Sequence, residues 1–243
     1  MPIVQEWLMK NKPDVLCLQE TKVVDADFPL ESLTSLGYHV EFRGMKSYNG
    51  VATLSLEKPT EVIHGFNPGP DSEDFRLLQT TIRGIKIINT YVPQGYRIDD
   101  PKYQYKLGWF KRLRTYFDNH LKAKGPVIWL GDLNVAPAPF DVHSPEKHLK
   151  HPCYHADAKR EYEETVKGRF VDCYRLLYPE KVGYTFWDFF ANSFQTNKGW
   201  RIDHILATPE LAAQCKDVVV DLVPRKAETP SDHTIVYANF ELK

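Results

Sequence analysis

One stretch limits what this chain can fold into more than any other, residues 126–135, which read Pro-Val-Ile-Trp-Leu-Gly-Asp-Leu-Asn-Val. The apolar run after the proline is typical of a buried strand, and it breaks at Gly131. In a strand, Asp132 and Asn134 would lie on one side of the chain, so that a carboxylate and an amide converge on one point. The alternative is a turn in which the same side chains cap the following loop. Such a pair suits a hydrated cation or an attacking water.

The length of 243 residues and the 42% hydrophobic content suffice for a sizeable core. No linker, repeat or low-complexity tract divides the sequence, so we expect one domain over residues 1–243, either α/β or two-sheet. No apolar run is long enough to span a bilayer, and the first residues lack the features of a secretory signal. These features predict a cytoplasmic protein that does not associate with membranes.

The four cysteines are scattered and contain no Cys-x-x-Cys pair, which favours free thiols over a disulfide framework. The formal net charge of −1 gives no overall attraction to a polyanion. A nucleic acid would therefore have to be held by a local basic surface around an acidic metal site.

The patterning predicts both helices and short strands. Helical spacing of apolar residues covers residues 3–9 and 103–121, and residues 156–167 are typical of a charged helix with an apolar continuation over 170–177. Strand-like runs cover residues 15–18, 37–42, 51–56, 62–66, 77–82, 85–91, 127–130, 202–207, 218–223 and 234–240.

Several of these strands deliver polar side chains at or near their ends, as the central stretch does. The side chains come from five separate segments: Glu20; Tyr91 with Gln94; Asp132 with Asn134; Asp203; and Asp232 with His233. Neighbouring strands lie about 5 Å apart, so such ends can build one site. Carboxylates gathered without matching cations repel one another unless a divalent cation neutralises them, and hard oxygen ligands suit Mg²⁺ or Mn²⁺.

His233 is the histidine of this set that stands beside an acid. Asp203 is placed to orient its ring, as a carboxylate fixes the tautomer of a catalytic imidazole. A metal that neutralises a phosphate and a carboxylate that aims a water together serve phosphoester hydrolysis.

Two further clusters leave alternatives open. His143, His148, His151, Cys153 and His155 crowd one loop. Their spacing matches no familiar zinc site, which favours a solvated loop. The aromatic residues of 184–190 and Trp200 are typical of a core, but turn signals beside them also allow a pocket for a flat ligand.

Seven segments, in order along the chain, resemble the exonuclease III family of abasic-site endonucleases. They are residues 16–22 (LCLQETK), 48–52 (YNGVA), 89–95 (NTYVPQG), 131–134 (GDLN), 184–188 (YTFWD), 199–203 (GWRID) and 231–233 (SDH). The resemblance implies a four-layered α/β sandwich of two mixed β-sheets flanked by helices, as in DNase I. It also implies an Mg²⁺-dependent cut on the 5′ side of an abasic site in duplex DNA, with Mn²⁺ as a substitute.

Residue roles follow from the same resemblance. It implies catalytic roles for Tyr91, Asp132, Asn134, Asp203 and His233. It implies a metal region formed by Glu20, Asp132, Asn134, Asp232 and His233. It implies that Phe186, Trp200 and Ile202 wall a pocket for a flipped-out abasic sugar, and that Gln94 contacts the DNA backbone. The implied partner is duplex DNA with abasic sites or 3′ ends, bound by a monomer.

One departure from the family concerns the start of the chain. Family members begin with a strand that carries an asparagine near the metal, whereas this chain opens on the helix that follows it. Loss of an internal strand leaves buried groups unpaired at about 1–3 kcal/mol each. We therefore expect lowered stability and weakened metal binding in this form.

Two other classes of function remain open at the level of sequence. One is a nucleic-acid-binding protein on the same scaffold with weakened catalysis. The other is a related metal-dependent phosphodiesterase or phosphatase that acts on a lipid or inositol head group.

Overall fold

The computed structural model describes residues 1–46, 48–66, 75–121 and 125–242. The helices are α1 (Pro2–Asn11), α2 (Leu30–Thr34), α3 (Pro101–His120), α4 (Ala156–Val166), α5 (Cys173–Leu177) and α6 (Pro209–Ala212). The strands are β1 (Val15–Gln19), β2 (His39–Arg43), β3 (Val51–Ser55), β4 (Glu61–His64), β5 (Leu77–Ile82), β6 (Ile85–Tyr91), β7 (Val127–Asp132), β8 (Val171–Asp172), β9 (Asp203–Ala207), β10 (Cys215–Asp221) and β11 (Ile235–Phe240). None of these helices has the length and apolarity needed to cross a bilayer.

The first of two compact units contains the described parts of residues 1–91 and 125–131. One of its sheets has the order β1-β3-β2, with both outer strands antiparallel to β3. β3 is buried along its whole length, as its central place requires. In the same unit, β4, β5 and β6 are antiparallel neighbours, and β7 lies beside β6.

A buried amide joins these two sets of strands. Asn89, on β6, has no exposed surface. Its side chain accepts a hydrogen bond from Gln19 Nε2 at 2.8 Å and donates to the carbonyl oxygens of Leu18 at 3.2 Å and Ala52 at 2.9 Å. Donors and acceptor are all satisfied, so this polar contact is compatible with the surrounding core.

The second unit contains the described parts of residues 92–124 and 132–243. α3 begins two residues before the predicted start, because Asp100 accepts a hydrogen bond from Lys102 N at 2.8 Å and Pro101 suits the first turn. α3 packs against α4. β8 pairs with β9, and β10 pairs with β11, both antiparallel.

The predicted apolar helix over residues 170–177 is wrong in part. Asp172 accepts hydrogen bonds from Tyr174 N at 3.0 Å and Arg175 N at 3.2 Å, so it caps a new helix, α5. Val171 and Asp172 themselves pair with β9. The predicted α/β class is otherwise confirmed by the elements above, whereas a single domain over residues 1–243 stays a prediction.

Candidate active site

The end of β7 is shaped by a glycine. Gly131 has a φ of +127°, and a Cβ at this position would lie 2.1 Å from the carbonyl oxygen of Thr90 on β6. Only glycine permits so close an approach of the two strands. The next residue, Asp132, is thereby carried to the end of the strand.

Asp132 and Asn134 are held together by a turn and not by strand alternation. Asn134 lies in the left-handed region, with φ +49°. Its backbone N donates to Asp132 Oδ1 and its Nδ2 donates to Asp132 Oδ2, each at 2.9 Å, and Nδ2 also donates to the carbonyl of Val92 at 2.9 Å. Both side chains are buried. The carboxylate and the amide therefore converge, but through the turn that was the alternative expectation.

His233 and Asp203 form a pair in the second unit. His233 Nδ1 donates to Asp203 Oδ2 at 2.9 Å. Asp203 begins β9, where its backbone N donates to the hydroxyl of buried Thr185 at 3.2 Å. The strand and this hydrogen bond fix the carboxylate, which in turn fixes the imidazole.

The surroundings of His233 favour its charged form. Burial lowers the pKa of the ring, but the charge of Asp203 and its hydrogen bond outweigh burial and raise the pKa to about 10. The charges of Asp132 and Asp232 raise it further. The structure thus gathers Asp132, Asn134, Asp203, Asp232 and His233 in one cluster with an imidazolium among carboxylates.

We expect NMR titration of the His233 ring to give a midpoint near pH 10. Because the pKa is raised above the ordinary 6.5, the ion pair stabilises the fold fully below pH 6.5, and this contribution is lost as the pH rises through about 10. Asp203→Asn should lower the midpoint, whereas Asp217→Asn should leave it unchanged. A wild-type midpoint near 6.5 would contradict the pairing.

Glu20 and Tyr91 meet in the first unit. The Tyr91 hydroxyl donates to Glu20 Oε1, and Lys22 Nζ lies 2.5 Å from Glu20 Oε2. Arg76 stacks 4.5 Å from the centre of the Tyr91 ring. Sequence reasoning missed both cations, although Lys22 follows Glu20 by only two residues. The Glu20 carboxylate is one-third exposed and already pairs with the ammonium group of Lys22, so its oxygens can act as ligands for a cation.

The three predicted pocket residues lie together in the second unit. Phe186 forms backbone bridges with both Trp200 and His233, and its ring lies 5.0 Å from the His233 ring. Trp200 and Ile202 are buried in a small apolar cluster on which Phe186 packs. Gln94 is exposed, and its Oε1 accepts from Tyr96 N at 2.6 Å.

The histidine loop is not the solvated loop that its spacing favoured. The rings of His151, His148 and His143 surround Trp200, with centroids 4.4, 4.8 and 5.9 Å from it. Burial lowers the pKa of His151 to about 4, so this ring is uncharged at neutral pH. The loop supports Trp200 because these three imidazole rings pack around the indole as aromatic rings.

A buried ionic network adjoins the pocket residues, and the sequence patterns did not predict it. Arg201 donates through Nε to Asp141 Oδ1 at 2.6 Å and through a terminal nitrogen to Asp172 Oδ2 at 2.8 Å. Asp141 is fully buried, and Arg201 is 1% exposed. The guanidinium lowers the pKa of Asp141 against the opposing effect of burial. The only sequence signal was an arginine alternating with two apolar residues, Trp200 and Ile202.

No three histidine, cysteine, aspartate or glutamate side chains converge as a preformed metal site within the four described ranges. The donors that the chain offers are carboxylate and amide oxygens, those of Glu20 and of the cluster around Asp132. This donor chemistry fits a hard divalent cation.

The fold and the clusters define the class of protein first: an α/β protein with an acid and imidazole site at its strand ends. Residues 3–233 match the Endonuclease/Exonuclease/phosphatase family, and the chain belongs to that family.

Individual relatives agree with this assignment. The chain is 32% identical to exodeoxyribonuclease III of Haemophilus influenzae, over 96% of this chain and 91% of that protein. An AP endonuclease structure from Archaeoglobus fulgidus, 47% identical, has a TM-score of 0.95 and covers 99% of this chain and 94% of its own. A 3′ phosphatase from Neisseria, solved with product DNA hairpin, is 38% identical with the same TM-score and coverages. The predicted family, fold and class of enzyme, a nuclease, are confirmed.

Proposed function

We propose that this chain is a Mg²⁺-dependent DNA repair nuclease that cuts the phosphodiester bond on the 5′ side of an abasic site in duplex DNA. The products are a 3′-hydroxyl and a 5′-deoxyribose phosphate. The observation that carries the proposal is the His233–Asp203 pair, with Asp132 and Asn134 in the same cluster and Phe186 against the imidazole. The similarity to the Archaeoglobus AP endonuclease supports it.

The residues of the cluster take complementary roles in this proposal. The imidazolium of His233 binds a non-bridging oxygen of the scissile phosphate and opposes the charge that develops there. Asp132, which is acceptor-only, orients the attacking water and takes its proton. Asn134 keeps that carboxylate in place through its two hydrogen bonds. Tyr91 lies against the phosphate, and Asp203 holds the imidazole.

Glu20 is the proposed principal metal ligand, with Asp232 near the metal region. When bound, Mg²⁺, or Mn²⁺ in its place, would neutralise the phosphate and stabilise the leaving oxygen. Tyr91 orients the Glu20 carboxylate through its hydroxyl.

Selectivity comes from the size of the pocket. Phe186, Trp200 and Ile202 surround a flipped-out sugar without a base, and the buried state of Trp200 and Ile202 limits how far the walls can yield. Exposed Gln94 contacts the DNA backbone. A nucleotide that keeps its base is excluded on steric grounds.

We expect Phe190→Ala to weaken DNA binding by about 10-fold, because an aromatic ring stacked on a base or inserted at a base step contributes about 1–3 kcal/mol. Phe190 is 80% exposed and follows Phe186 by four residues. Met9→Ala, which removes an exposed apolar side chain from α1, is the control. Fluorescence anisotropy with an abasic duplex in EDTA measures the affinity, and equal affinities for both variants would refute a DNA contact.

The test of the proposal uses a labelled duplex that carries one tetrahydrofuran abasic analogue. We expect a single Mg²⁺-dependent nick on its 5′ side, stopped by EDTA, and no nick at that position in an undamaged duplex. Cleavage of both duplexes at equal rates would refute abasic selectivity. Binding that chelator leaves unchanged, with no cleavage in Mg²⁺ or Mn²⁺, would favour the weakened binding protein.

A second activity has its own support. The Neisseria structure at 38% identity is a 3′ phosphatase with product DNA. The same chemistry applied to a 3′ end gives 3′-phosphatase and 3′→5′ exonuclease reactions. Duplexes with a 3′-phosphate or a recessed 3′-hydroxyl, assayed beside the abasic duplex, rank the three activities.

A further inference from the structure

One buried cation in the second unit has no part in the mechanism above. Lys106 lies on α3 and has no exposed surface. Its ammonium group donates three hydrogen bonds to backbone carbonyls, to Asn134 at 2.6 Å, Pro152 at 3.0 Å and Gln94 at 3.1 Å. An ammonium has three N–H groups, so its donors are all used.

The three carbonyls belong to three different loops. The first loop carries Asn134, which holds Asp132, and the second carries Gln94, the proposed contact to the DNA backbone. The third precedes Cys153, whose Sγ lies 3.6 Å from Asn134 Oδ1. One side chain therefore links a loop for chemistry, a loop for DNA binding and the loop that surrounds Trp200.

The local backbone is built for this contact. Gly95 has a φ of +97°, and a Cβ there would lie 3.2 Å from Lys106 Cδ and 3.1 Å from Tyr103 Cδ2. Asn134, with φ +49°, turns the chain directly after Asp132. Both loops approach the lysine at residues in the left-handed region, which places their carbonyl oxygens where the ammonium reaches them.

Stability of the fold alone does not explain a charged side chain at position 106. The other buried residues of α3 in its central turns, such as Trp109, Phe110 and Leu113, are apolar. A buried ammonium must recover its lost hydration from hydrogen bonds, and a well-packed apolar residue does not carry that cost. A network in which every donor is used fixes the geometry of its partners more strictly than apolar packing does.

We propose that Lys106 is a positioning residue for the nuclease reaction, which sets the Asn134 turn for chemistry and the Gln94 loop for DNA binding. This inference rests on the proposed function. The lysine acts through these two residues and touches neither DNA nor the scissile phosphate.

The test is a double-mutant cycle on cleavage of the abasic duplex. We expect Lys106→Met to lower kcat by about 100-fold, as misplacement by about 1 Å does in active sites, and to raise KM several-fold. In an Asn134→Ala background the same change should lower kcat by less than about 3-fold, since residues that act as one unit are not additive. Lys106→Arg, which keeps a cation, should recover part of kcat.

Leu113→Ala is the matched control on the same helix. It removes a buried side chain away from the three loops and should leave kcat unchanged below its unfolding midpoint. Equal losses of kcat for Lys106→Met in both backgrounds, or a kcat within 2-fold of wild type, would overturn the proposal.

A readout without activity separates this inference from the proposed function. The side-chain amide signals of Asn134 in ¹⁵N NMR spectra should shift or broaden in Lys106→Met and keep their positions in Leu113→Ala. If the wild type fails to cut abasic DNA, the proposed function fails alone and these signals still decide whether Lys106 fixes the turn. Unchanged Asn134 signals in Lys106→Met would refute the positioning role.

Discussion

Asp132→Asn will reduce abasic-site cleavage by about 10³-fold or more, because general-base catalysis contributes up to about 10⁴-fold and the amide cannot take a proton. The new amide keeps only one acceptor oxygen, so its NH₂ group faces one of the two Asn134 N–H donors that now donate to the carboxylate. The measurement is single-turnover cleavage of the abasic duplex at saturating enzyme. Circular dichroism and DNA affinity should remain near those of the wild type.

The control for this change is Asp118→Asn. Asp118 lies on α3, is more than half exposed and pairs with Arg169. This variant loses one carboxylate as Asp132→Asn does, and it should keep the wild-type rate. Cleavage by Asp132→Asn within 10-fold of the wild-type rate would remove Asp132 from the chemistry.

Arg201→Met will lower the free energy of unfolding by about 3–5 kcal/mol, the range for removing one partner of a buried ionic pair. Asp141 then loses two hydrogen bonds from the guanidinium while it remains fully buried. Because the segment that contains Trp200 and Ile202 loses its anchor, abasic selectivity should fall together with stability. Urea denaturation followed by circular dichroism gives the free energy.

Arg169→Met is the control for an exposed pair. Arg169 bonds to Asp118 near the surface, where ion pairs contribute about 0–1 kcal/mol. A loss of less than 1 kcal/mol for Arg201→Met would show that the network around Asp141 does not hold the pocket residues.

The pKa of Asp141 is lowered in the folded protein. The contribution of this carboxylate to the free energy of unfolding is therefore present above its ordinary pKa of 3.8 and is lost as the pH falls below that value.

The strands were predictable from sequence because apolar runs are local. The run over residues 85–91 coincides with β6, and the polar residues after it and after β1 are where the patterning placed them. The start of α5 was missed, although Asp172 is a usual capping residue. Its apolar neighbours fit both a helix and a short strand, and pairing with β9 decides between them.

The candidate site was predictable only at positions where the residue type and its place in the sequence indicate a single role. Carboxylates after strands and a histidine beside an acid pointed to hydrolysis. Lys106 did not stand out, because a lysine in an amphipathic helix ordinarily faces solvent. Arg201 was hidden for a different reason, because its partners Asp172 and Asp141 lie 29 and 60 residues away in sequence.

The buried amide of Asn89 has a consequence for how the first unit can evolve. Its hydrogen bonds to β1 and β3 can form in only one alignment of β6 with these two strands. Glu20 follows β1 directly, and Tyr91 ends the strand that carries Asn89. A shift of one residue in the register of β1 or β6 would separate the Tyr91 hydroxyl from the Glu20 carboxylate. We therefore expect insertions and deletions in these strands to be less tolerated than substitutions on their outer faces.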